Sequence, residues 1–146
     1  MDKIYQSNAC MTSTGLAITG AGTTTAKTVT SSAYRINGAL YPSFTPANIT
    51  LTTSQNVAAD SPLVVTVGIT ATGTYSLTQG PAVLNSTYSG TQIANTSQFV
   101  DPAAGTALVG YIVIKATTTA FTGGTTLLDA ATYTVTYINT PMSVIL

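Results

Sequence analysis

The stretch ALVGYIVIKA, residues 107–116, decides how the rest of this 146-residue chain must be read. Leu108, Ile112 and Ile114 fall on one side of an extended chain and Val109, Tyr111 and Val113 on the other, so the strand is apolar on both faces. Such a strand is either the central strand of a covered sheet or one whose second face meets another subunit. Val109, Tyr111 and Val113 are accordingly the candidate subunit-interface residues.

Other segments alternate more simply. In PLVVTVGIT, residues 62–70, Leu63, Val65, Val67 and Ile69 share one face and Val64, Thr66, Gly68 and Thr70 the other. Tyr133, Val135 and Tyr137 alternate with Thr132, Thr134 and Thr136 in the same manner. Both patterns predict strands with a single buried face. Ile49–Thr53 and Thr74–Thr78 are further strand candidates, set apart by turn signals at Ala71-Thr72-Gly73, Gly80-Pro81, Asp101-Pro102 and Gly123-Gly124. Threonine, the commonest residue, strengthens the reading, because its branched Cβ is restricted in a helix and fits a pleated surface. The expected class is all-β, with a sandwich, jelly-roll or barrel-like domain. Only Thr125–Ala131 offers a helix, of one turn at most.

In SSAYRINGALYPSF, residues 31–44, Tyr34, Ile36, Ala39 and Tyr41 alternate around Asn37-Gly38, a pair whose tolerance of positive φ suits a two-residue type I′ hairpin turn. Arg35, the single arginine, then faces Leu40 on the side away from the two tyrosines. It guards an exposed edge or pairs with an acid on a neighbouring subunit.

Residues 1–32 differ from the remainder. They are rich in Gly, Ser, Thr and Ala, poor in large apolar side chains and without long alternation, which predicts an extended amino-terminal arm, followed by a β domain over 33–146 that folds without it. Leu16, Ile18, Lys27 and Val29 are the arm residues expected to dock on a partner, by adding short strands to an edge presented there. The apolar tail Pro141–Leu146 is expected to tuck into the fold or against a partner.

The charged fraction is 5% and the formal net charge zero, against about 25% charged residues in an average domain. With Lys3, Lys27, Arg35 and Lys115 scattered, no basic stripe matches a run of phosphates, and nucleic acid is not an expected partner. The apolar runs are too short to span a bilayer, so no membrane segment is expected, and no signal-peptide core follows the Met-Asp-Lys start, which points to synthesis in a cytosol. Cys10 has no intrachain disulfide partner. Histidine and glutamate are absent, which removes the commonest general base and metal ligand, and Asp2, Asp60, Asp101 and Asp129 are far apart in sequence at or near turns. No catalytic residue, metal or cofactor is therefore expected. GAGTTTAKT, residues 20–28, superficially suggests a phosphate loop, but Ala26 and Ala21 stand where a Walker motif requires glycine. The Asn-x-Ser/Thr triplets at Asn48, Asn85 and Asn95 are expected by chance in so threonine-rich a chain.

GLAITGAGTTTAKTVTSSAYRINGALY, residues 15–41, together with AFTGGTTLLDAATYTVTYIN, residues 120–139, resembles a group of small virion proteins of tailed bacteriophages, namely head decoration or cement proteins and head fibres. The shared features are the apolar lead segment with its lysine, the Tyr-x-Ile-Asn-Gly-x-Leu-Tyr hairpin, and a Phe-x-x-Gly-Thr-Thr-x-Leu-Asp-Ala segment before a Tyr-rich strand. The resemblance implies a structural protein on the outer surface of a phage head, assembled in the host cytoplasm. Its expected partners are the major capsid protein and copies of itself in a homotrimer. The alternative is a glycan-binding or adhesin module of a head or tail fibre, in which Tyr75, Tyr88, Tyr111, Tyr133 and Tyr137 stack on sugars.

Overall fold

Thr106–Ala116 (β9) is the interior strand of the fold, as its two apolar faces require. In the computed structural model, which describes residues 8–81 and 98–139, it lies between Pro62–Thr70 (β7) and Tyr133–Asn139 (β11), and Tyr75–Gln79 (β8) completes an antiparallel sheet in the order β11-β9-β7-β8. Leu63, Val65, Val67 and Ile69 of β7 stand beside Ile114, Ile112, Gly110 and Ala107 of β9, so one face of the sheet is continuously apolar or small. On that inner face Val135 and Tyr137 of β11 and Leu77 and Tyr75 of β8 extend the row.

A second layer closes the inner face. Ala17–Ile18 (β1), Thr25–Lys27 (β2) and Asn48–Thr50 (β5) form a three-stranded antiparallel sheet, and Asn56–Val57 (β6) pairs with Phe121–Thr122 (β10). Leu16, Ala26, Ile49, Leu51, Val57, Phe121 and Leu128 join the inner-face residues in one core cluster. The architecture is an all-β sandwich. Gly110 leaves no room for a side chain, since a Cβ would collide with the Ile138 carbonyl of β11 and come within 2.7 Å of Leu16 Cδ1 from the second layer.

Residues 8–32 are part of this sandwich, where a free arm was expected. The short strands anticipated around Gly15–Ile18 and Ala26–Val29 do form, but the edge they join belongs to their own chain: Ala26 pairs with Ile49 and Lys27 with Asn48. Composition misled here because small residues suffice where two layers come close. Leu16 and Ala26 are buried although the segment carries few bulky side chains. Farther upstream, the Leu108 N–H donates to the Asn8 carbonyl (2.8 Å) and the Cys10 N–H to the Leu108 carbonyl (2.9 Å). This places residues 8–10 on the edge of β9 that β11 leaves after the pair Asn139 and Gly110.

Three other expectations change. β7 is buried on both faces, with Val64 and Thr66 fully enclosed, because residues 98–102 cross the outer face. The Thr66 hydroxyl donates to the Val100 carbonyl (2.8 Å), and Gln98 Nε2 donates to the Pro62 carbonyl (3.1 Å). Residues 125–131 make turns in place of a helical turn, including Thr126 N–H to the Thr122 carbonyl (2.9 Å). The register also shifts between Val67 and Gly68, opposite Leu108–Gly110, so Leu108 leaves the face of Ile112 and Ile114 and Val109 turns into the core.

Deleting residues 1–31 should therefore unfold the protein, since Cys10, Leu16, Ala26 and two strands leave the sandwich. Loss of the cooperative thermal transition followed by circular dichroism is the expected outcome. Gly110→Ala should lower stability by about 1–3 kcal/mol in denaturant titration, because the new methyl has backbone on one side and Leu16 on the other.

Candidate functional site

The hairpin Tyr34–Ile36 (β3) and Ala39–Tyr41 (β4) has the register that Asn37-Gly38 dictates, with φ of 50° and 82° at the two turn residues. Tyr34 and Tyr41 stack with centroids 5.3 Å apart, and Phe44 and Tyr75 extend the aromatic cluster. The Tyr34 hydroxyl donates to the Thr70 carbonyl (3.1 Å), which ties the hairpin to the end of β7. Arg35 stands opposite Leu40 on the other face, and its N–H donates to the Ala9 carbonyl (3.0 Å). Residues 8–11 thus form a rung between β3 and β9.

The four docking residues expected on an arm are split. Leu16 is in the core, Ile18 packs against it, and the Lys27 ammonium donates to the Thr19 carbonyl (3.3 Å). Val29 alone remains well exposed, at 56%. Of the three interface candidates, Val109 is fully buried within the single chain, which removes it from any subunit contact. Tyr111 makes an edge contact with Phe99 of the same chain (5.1 Å between centroids), and Val113 is half-buried on the outer face. β9 is central in its sheet, its inner face is fully covered by the chain, and its outer face is covered in part.

The chemistry-bearing groups serve turns and packing. The Asp129 carboxylate accepts from the Gly22 N–H (2.7 Å), and the Leu128 N–H donates to the Thr23 carbonyl (2.9 Å). The glycine-rich loop that superficially suggests a phosphate cradle thus receives an anion from its own chain. Asp60 occupies a turn at φ 56°, with its N–H on the Thr117 carbonyl (2.7 Å). Among the described residues no three His, Cys, Asp or Glu groups converge as metal ligands, and no helix is long and apolar enough to cross a membrane. Burial pushes the Cys10 thiol up to about 12 despite a hydrogen bond with Ser32, which leaves it protonated and unreactive at neutral pH.

Two shallow grooves lie along the open seams of the sandwich, where edge strands of the two layers face each other. One, of about 330 Å³, runs between β5 and β8 and is lined by Asn48, Thr50, Tyr75 and Leu77. The other, of about 340 Å³, runs between β1 and β11 and is lined by Ile18, Leu128, Asp129, Val135 and Tyr137. Burial first, and the nearby Asp129 second, push the Tyr137 hydroxyl up to about 12. These seams eluded sequence reading because each needs two strands distant in sequence. The only local signal was the mixed Tyr/Thr alternation of residues 132–137. Asp2, Tyr88, Asn85, Asn95 and the tail Pro141–Leu146 lie outside the described residues.

No protein family, curated protein or solved structure matches this chain.

The raised acids set an alkaline limit. Cys10 and Tyr137 favour their neutral forms in the folded state, so their contribution to stability is complete below the unfolded values near 9 and 10 and declines as pH rises towards about 12. Burial raises Tyr34, Tyr75 and Tyr111 in the same direction. The melting temperature should be insensitive to these groups up to about pH 9 and fall above it. In an absorbance titration at about 295 nm, part of the tyrosine signal should appear only together with unfolding; independent ionisation of every tyrosine near pH 10 would contradict the assignment.

Proposed function

We propose that the chain is a structural virion protein, a decoration or cement protein seated on the outer surface of a phage head. The observation that supports this reading best is the division of labour in the sandwich: the reactive groups are engaged in its own turns and core, while the surface offers strand edges and isolated apolar side chains. The Asp129 carboxylate caps a loop and Cys10 is buried, whereas Leu40 is 65% and Val29 56% exposed. A protein with 5% charged residues and shallow grooves is suited to lying against a repetitive protein lattice and poorly suited to turning over a substrate.

The resemblance of residues 15–41 and 120–139 to virion proteins points the same way, and it supplies the major capsid protein as partner and the host cytoplasm as the place of assembly. The glycan-binding alternative draws less support, because the strand tyrosines are held by their own chain. Tyr75 shares a hydrogen bond with Thr28 (2.6 Å), the Tyr133 hydroxyl donates to the Ala120 carbonyl (2.8 Å), and Tyr111 abuts Phe99. A stacking platform requires free ring faces.

The purified chain should co-sediment with heads of its source phage that lack it, and a Val29→Asp, Leu40→Asp double substitution should weaken that binding about tenfold or more, equivalent to roughly 1.4 kcal/mol, without lowering the melting temperature. Failure of the wild-type chain to bind heads, with retention on a glycan array instead, would transfer the protein to the adhesin class.

A further inference from the structure

β11 is the outermost strand of its sheet, and β9 takes only one of its edges. The Thr117 N–H donates to the Thr132 carbonyl (3.2 Å), which makes 132 and 117 a hydrogen-bonded position of the antiparallel ladder. Alternation along the register then turns the backbone groups of Thr134, Thr136 and Ile138 towards β9, and those of Tyr133, Val135, Tyr137 and Asn139 outward. The Tyr133 N–H fits this direction, since it reaches the Ala130 carbonyl (3.0 Å) and not β9. Among the described residues the amides of Val135, Tyr137 and Asn139 and the carbonyls beside them have no backbone partner.

Among the described residues nothing blunts this edge. Tyr133–Asn139 contains no charge and no proline, and its register with β9 runs without a bulge. A row of alternating donors and acceptors is matched by another extended backbone. A second copy of β11 has the length to cover the whole row.

We propose that two copies of this chain pair through β11, antiparallel about a two-fold axis at Thr136. In that register Val135 of each copy stands opposite Tyr137 of the other, an aromatic and β-branched pair formed twice on the inner face. Thr136 meets its own counterpart on the outer face, and Ile138, 36% exposed in the single chain, lies against Thr134 of the second copy. No charged side chain lies on either edge, so no like charges are opposed. This inference concerns self-association of the purified protein and stands apart from the virion reading, whose expected homotrimer came with the resemblance.

Two measurements test it on the full chain. Sedimentation equilibrium at micromolar concentration should give two copies; a monomer, or a trimer, overturns the pairing, because an isologous edge closes at two. Thr136→Cys should cross-link to its counterpart under mild oxidation, since facing non-hydrogen-bonded positions bring Cα atoms to about 4.5 Å, within the disulfide range. Cys10 is fully buried and does not compete. Thr134→Cys, equally exposed but opposite Ile138 of the second copy, should remain largely uncross-linked; equal cross-linking of the two variants overturns the register. If the wild type is a monomer and deletion of residues 140–146 makes it a dimer, the tail occupies the edge and the proposal fails.

Discussion

The sandwich is organised by the need to cover β9, whose inner face is enclosed and whose outer face is partly covered. An extended chain with apolar side chains in both directions and polar groups along both edges must find four neighbours, and it draws them from all parts of the sequence. β7 and β11 take its edges, and β1, β2 and β5 with Leu16 lie beneath it. Residues 98–102 cross the outer face, where Phe99 meets Tyr111. Residues 8–10 fill the stretch of edge that β11 does not reach. Elements that look independent in sequence are in this sense successive covers of one strand.

The strands were legible where alternation ran long enough to be unambiguous. The bounds of β7 and the register of the β3–β4 hairpin follow directly from side-chain alternation and from the Asn37-Gly38 turn. Legibility failed where burial depends on small residues or on distant cover. Ala26 and Gly110 carry no hydrophobic signal, yet they mark where the layers meet. The two-sided burial of β7 depends on a crossing segment whose own residues, Gln98 to Pro102, announce no strand. The shift opposite Leu108–Gly110 reverses which side chains face inward, and periodicity counts straight through such a bulge.

The candidate site was read more by exclusion than by recognition. A chain without histidine or glutamate leaves a narrow choice of chemistry, and the structure uses even the remaining carboxylate of Asp129 to hold the Gly20–Thr25 loop closed against residues 127–130. That contact joins two segments distant in sequence, with the Leu128-Asp129 dipeptide and the glycine loop forming one joint. The seams beside β8 and β11 are a property of the assembled layers and had no counterpart in any single stretch of sequence.

The position of β9 behind most of its partners governs how the protein is made. As the polypeptide emerges, residues 8–11, β1, β2, the hairpin, β5, β6 and β7 are synthesised before the strand they will help to enclose. The nascent chain therefore holds Val- and Ile-rich segments without their native partner until β9 itself is made, and long-range closure of this kind is slow. In the reverse passage β9 leaves only when the strands on both its edges part together. Such a molecule persists through a high unfolding barrier even where its equilibrium stability is ordinary.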